Sequence, residues 1–296
     1  MTNQSTLHLE SGDVSLEIAP PGSLDEHRAT RFSPAAYLLQ ARSGDHTYFF
    51  RRGSPMEFDI GERTLPPGFD GCAPGEPFVK IGVGLLERDS PDAYSFSHVY
   101  PVRVRPETTL SAERSRARFT QRLDPGEIPI GYELAVDVRL EGHAITLDYA
   151  LENLGSAPFE TEQYLHNFCT LDGAPLSPDY TVDVGYDCAV CDSVGNRLEE
   201  PATALVRQLD SRTFGFDASG PEERTKLFFR PIGAAPRQRW SIANEGTGTA
   251  MTVEADQPPL VSALYVTGDQ ISLEMNVAVT VEPGATTRWT RRYDLE

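Results

Sequence analysis

Short runs in which apolar and polar residues alternate, each closed by Gly, Pro, Asn or Asp, recur along this chain from end to end. A period of two puts successive side chains on opposite faces of an extended strand, so these runs are strands with one face buried. Residues 14–18, 132–140, 144–151 and 272–281 are the clearest. Glu141-Gly142-His143 joins two of them as a tight hairpin loop, and Glu282-Pro283-Gly284-Ala285 links the last two strands, which end in Trp289 and Tyr293. No comparable helical period stands out, and 23 prolines with 24 glycines suit a turn-rich all-β chain. At 296 residues the chain is long for one domain, but β-sandwiches reach this size as single units. With no fixed repeat or low-complexity linker, one domain over residues 1–296 is expected. Residues 51–75 are the least regular, dense in Gly and Pro, and read as one long loop of the kind that is either a binding loop or disordered, whereas residues 217–224 read as an exposed acidic loop.

Charge limits the partners. Forty-four acidic against 26 basic residues give a formal net charge of −18, which repels nucleic acid and anionic membranes. Only Lys80 and Lys226 are lysines, and arginine supplies the other cations. An acidic, lysine-poor surface suits concentrated salt, where screening removes self-repulsion, so a salt-loving source and low-salt unfolding are the corresponding expectation. No apolar run reaches the roughly eighteen residues of a membrane span, and the polar start lacks the basic and apolar parts of a signal peptide. A cytoplasmic monomer or homodimer is expected. Among four cysteines, Cys188-Ala-Val-Cys191 has no second Cys or His pair downstream to complete a zinc site, so ordinary reduced thiols are expected.

His8, His27, His46 and His143 lie in terminal, turn or hairpin settings where exposure is the default. His166 differs, because aromatic and apolar residues flank its His-Asn pair in Tyr164-Leu-His-Asn-Phe168. An imidazole partly desolvated yet hydrogen-bonded titrates near neutrality and serves as a general acid or base; a satisfied core histidine is the competing explanation. Adjacent acidic pairs such as Glu199-Glu200 and Glu222-Glu223 sit in loop sequence and read as solvated charge. Phosphate-loop, nucleophile-elbow, zinc-protease and dinucleotide signatures do not occur.

Tyr164-Leu-His-Asn-Phe168 followed by Leu171-Asp172-Gly173 resembles the His-aromatic signature of the aldose 1-epimerases, or galactose mutarotases. Arg28-Ala-Thr-Arg-Phe32, Pro67-Gly-Phe-Asp70, Gly75-Glu-Pro-Phe-Val-Lys-Ile-Gly-Val-Gly84 and Ser177-Pro-Asp-Tyr180 are similar, in this order, to the motifs of a mutarotase-like family. The resemblance touches the chain from about residue 14 to 293. It implies an all-β fold, a large antiparallel β-sandwich of the galactose mutarotase type, acting on a small-molecule carbohydrate without metal or organic cofactor. In that family a histidine protonates the ring oxygen and a late-strand glutamate takes the anomeric proton. Those roles fall on His166 and on Glu274, which points away from the core if Leu273, Met275 and Val277 point into it.

Arg28, Arg31, Lys80, His98, Asn167 and Asp179 are the expected substrate contacts. The early Asn-Arg pair and the His-Gly-Gly motif of the classical enzymes are missing, with Arg28 and Arg31 the candidate replacements for the early arginine. Three functions follow: anomer interconversion, another ring-opening, epimerising or eliminating reaction on an acidic sugar, or non-catalytic carbohydrate binding. Catalysis predicts His166 and a carboxylate on opposite sides of a sugar-sized space, and mere binding predicts a flat aromatic platform.

Overall fold

Alternation does what the sequence predicts: residues 14–18, 132–140, 144–151 and 272–281 lie in the strands Val14–Ala19, Tyr132–Glu141, Ala144–Asn153 and Gln270–Val281. The structure is a computed structural model that describes residues 6–27, 29–50, 52–198, 205–217 and 224–296. Arg28, the two Glu pairs at 199–200 and 222–223, and most of the 217–224 loop lie outside the described residues. No helix among the described residues is long and apolar enough to cross a membrane.

Two large sheets form the sandwich. The first runs, in hydrogen-bonded order, through Leu7–Ser11, Val14–Ala19, Phe32–Ser43, Ser54–Phe58, Phe159–Leu165, Gln270–Val281, Ser262–Thr267, Arg224–Pro231 and Cys188–Cys191. The second is centred on Thr249–Ala255, Thr286–Leu295, Ala144–Asn153 and Tyr132–Glu141. Their facing residues make one core, in which Met56, Phe58, Leu165, Met275 and Val277 of the first sheet meet Val136, Tyr149, Trp289 and Tyr293 of the second. Polar bonds cross it where they can be satisfied: Trp289 Nε1 donates to Gln163 Oε1 at 2.9 Å, and Tyr293 Oη donates to Asn167 Oδ1 at 2.7 Å.

The turn at 282–285 links the last two strands as expected and, because these belong to different sheets, carries the chain across the sandwich. Two features depart from the sequence reading. Residues 51–75 are not one loop, because Ser54–Phe58 is a strand inside the first sheet. Both of its faces are buried, so it shows no alternation, and Pro55 disguises it further. His27 is buried against Tyr37 with ring centroids 5.3 Å apart, and burial lowers its imidazole to about 4, outweighing Glu26.

A third sheet of Pro77–Lys80, Gly84–Glu87 and Val102–Val104 carries its own apolar cluster of Phe69, Phe78, Leu86 and Tyr100. Cys188 and Cys191 stand three positions apart on one strand, which turns their thiols to opposite faces.

Candidate active site

Strand register alone assembles the site. In Phe159–Leu165 the odd-numbered residues turn inward, so Glu162, Tyr164 and, just past the strand end, His166 point to the outer face. In Gln270–Val281, Leu273, Met275 and Val277 enter the core, which turns Glu274 outward as expected. Leu165 stands opposite Met275 and Phe168 opposite Ser272, and this continuous register sets His166 directly across from Glu274. On the other side, Tyr164 is opposite Glu57, and Glu57 is opposite Phe32. Beyond Glu274 comes Ala263, whose short side chain leaves room for Lys226 to reach in from the next strand.

Five charges of alternating sign result. Arg31 Nε donates to Glu57 Oε2 at 2.5 Å, and His166 Nε2 lies 3.2 Å from the same oxygen. His166 Nδ1 is 2.9 Å from Glu274 Oε1, and Lys226 Nζ is 3.1 Å from Glu274 Oε2. Tyr164 Oη donates to Glu274 Oε2 and accepts from Lys226 at 3.0 Å. Burial alone would lower the His166 imidazole, but Glu274 and Glu57 outweigh it and hold it above its ordinary value. With a carboxylate at each nitrogen, the ring is an imidazolium donating at both. Burial would raise the Glu274 carboxyl, yet the charge and hydrogen bond of His166, helped by Lys226 and Tyr164, bring it down to about 2. Glu57 is likewise lowered, because the His166 bond and the charges of His166, Lys80 and Arg31 overcome its burial. Phe168 stacks on the imidazole at 5.5 Å and Phe32 meets it edge-on at 5.6 Å, so the ring plane is fixed.

Supporting groups sit around this row. Lys80 is fully buried, bonded to Tyr94 Oη at 2.5 Å, and senses the charges of Glu57 and Asp59. Asp59 accepts from Thr64, Thr161 and the Glu162 backbone, while burial raises its carboxyl to about 6. Arg63 clasps Glu162, with Nε 3.0 Å from Oε2.

Of the residues singled out in the sequence, the structure brings together His166, Glu274 and Arg31, with Lys80 buried behind them. Three others are engaged elsewhere. Asn167 faces the core, tied by Ser54, Tyr293 and the Leu273 carbonyl, because one step along an extended chain reverses the face. The His98 ring pairs with Asp89 at 2.8 Å on an exposed loop. Asp179 lies on an exposed turn before Tyr180–Asp183 in the second sheet, with Ser177 as partner. Glu57 and Lys226 were missed. Nothing in Ser54-Pro-Met-Glu-Phe58 marks Glu57, whereas the rarity of lysine was a signal that covered Lys226 as much as Lys80.

The expected arrangement of acid and base across a sugar-sized space does not hold, since His166 and Glu274 touch. Neighbours across paired strands have Cβ atoms only about 5 Å apart, too close for a ring to lie between them. A ligand that engages both groups must therefore lie over the pair and not between them.

No protein-family model matches the sequence, and no curated protein matches it. Solved structures do match. A provisionally assigned aldose 1-epimerase from Escherichia coli K12 superposes with a TM-score of 0.64 at 12% identity over 99% of both chains. A galactose mutarotase related enzyme from Lactobacillus acidophilus gives 0.63 at 10% identity, over 99% of this chain and 97% of that one. The GalM/aldose epimerase homologue from C. elegans gives 0.59 at 11% identity, over 99% and 98%. Together with the two large antiparallel sheets, these likenesses give the chain the galactose mutarotase-like fold.

Proposed function

We propose that the protein interconverts the anomers of a sugar by acid–base catalysis, with His166 as the acid and Glu274 as the base. The observation that carries this is an imidazolium and a carboxylate, charged as the reaction needs them, side by side on the outer face of the sheet. Glu274 takes the proton of the anomeric hydroxyl, the C1–O1 bond becomes a carbonyl, the C1–O5 bond breaks, and O5, displacing the contact between His166 Nδ1 and Glu274 Oε1, takes the Nδ1 proton. Rotation about C1–C2 and the reverse transfers close the ring on the other face.

The coupling between the two groups supplies the driving force. In the resting site the imidazolium holds the Glu274 carboxyl at about 2, where it is a weak base. Once His166 passes its proton to O5 that charge is gone, and Glu274 becomes more basic as it receives the anomeric proton. Glu57 acts as a positioning residue by holding the other imidazole nitrogen.

His166→Ala tests the assignment by NMR exchange spectroscopy or polarimetry on a panel of aldoses and uronic acids. Loss of a general acid lowers the catalysed rate by about 10²–10⁴-fold. An unchanged rate in a variant that remains folded would sink the proposal.

A further inference from the structure

We infer that the sugar taken by this site carries a carboxylate, as a hexuronate does, and that Arg31 receives it; this rests on the sugar-binding reading above. Arg31 spends only Nε on Glu57, and among the described residues its Nη1 and Nη2 make no hydrogen bond. Its guanidinium lies 4.7 Å from the ring centre of Phe32 and 4.5 Å from that of Phe96, so the planar fork is held in place before any ligand arrives. A pair that served structure alone would gain from bidentate contact with Glu57, and this one leaves both Nη nitrogens, with their four N–H donors, over.

Exposure points the same way. The side chains of Glu57, His166 and Glu274 are 0–4% exposed, whereas those of Arg31 and Lys226 are 31% and 33% exposed. An incoming molecule meets the cations first. Lys226 has Glu62 near it as well as Glu274, so the Arg31 end is the one with donors to spare.

Atom order in a pyranuronate fits the order of residues. The sugar runs O1, C1, O5, C5 and then the C6 carboxylate. The row runs Glu274, His166, Glu57, Arg31. With O1 over Glu274 and O5 over His166, the C6 group lies toward Arg31. One planar fork suits a singly charged, planar carboxylate better than a dianionic phosphate, which calls for more positive charge than this row, whose formal charges sum to +1, provides.

The test compares glucuronate with glucose and galacturonate with galactose by NMR exchange spectroscopy, in the wild type, Arg31→Lys and Arg31→Met. Glucose 6-phosphate serves as a third arm, and calorimetric binding of methyl glucosiduronate, which cannot open, as a readout independent of turnover. The inference expects a kcat/KM at least about tenfold higher for each uronate than for its neutral partner. It also expects that ratio to fall toward one in Arg31→Met and to drop several-fold in Arg31→Lys, which keeps a cation beside Glu57. Equal rates in the wild type, a ratio that survives both substitutions, or a preference for the phosphate would overturn it. Arg31-dependent binding of the methyl uronide with no accelerated exchange of any sugar would uphold this inference while refuting anomerisation.

Discussion

Glu274→Gln keeps the shape of the contact with His166 and removes one charge from the row. In the folded protein the Glu274 carboxyl stands at about 2 against an ordinary 4.5, because His166, Lys226 and Tyr164 together outweigh the cost of burial. At about 1.4 kcal/mol per tenfold in proton affinity, that gap corresponds to about 3 kcal/mol of folding stability. A lowered carboxyl contributes this fully above pH 4.5 and loses it as the pH falls toward 2. His166 has the opposite sign. Burial opposes its charged form, but Glu274 and Glu57 raise it, so its contribution is complete below 6.5 and is lost as the pH rises through its folded value. The two windows leave a plateau between 4.5 and 6.5. Urea unfolding of the wild type and Glu274→Gln from pH 2 to 9 gives a difference curve in which the other carboxylates largely cancel. It should peak across that plateau and decline on both sides, by about 3 kcal/mol on the acid limb. A flat difference curve would refute the charge assignment for the whole row.

Two predictions concern the frame. Arg291 is fully buried between the sheets, and none of its guanidinium nitrogens has a hydrogen-bond partner among the described residues. Arg291→Met should raise stability by about 1–4 kcal/mol, seen as a higher urea midpoint, and a less stable variant would show that the guanidinium is compensated. Gly53 has φ +58°, and a Cβ there would stand 1.9 Å from the Leu38 carbonyl oxygen, so Gly53→Ala should destabilise by about 2–4 kcal/mol and disturb the strand that carries Glu57. Wild-type stability in that variant would mean that the backbone yields there at little cost.

Alternating strands such as Tyr132–Glu141 were legible because one face is the more buried, and a period of two is then forced on the sequence. Ser54–Phe58 was not legible. A strand covered on both faces has no solvent side to mark with polar residues, so its one carboxylate, Glu57, reads as loop polarity. Which sheets the turn at 282–285 connects was not legible either. A four-residue turn has the same composition whether it closes a hairpin or carries the chain from one sheet to the other, and only pairing distinguishes the two.

Residue alternation also decides what a motif can mean. His166 and Asn167 are neighbours in the sequence and read as one functional pair, but on an extended segment one faces the outer surface and the other the core. The rarity of a residue type carries information that position does not. A chain with 26 basic residues of which two are lysines has placed both around one carboxylate system, Lys80 behind Glu57 and Asp59, Lys226 against Glu274. An ammonium fits where arginine's planar fork would not: Lys80 is fully enclosed, and Lys226 must reach Glu274 and Tyr164 with one nitrogen. Arginine stands in the same row only at Arg31, where among the described residues both Nη nitrogens are without a hydrogen bond. On the uronate proposal, the choice between lysine and arginine along this row separates the cations that only hold carboxylates in place from the one that holds Glu57 and also receives the substrate.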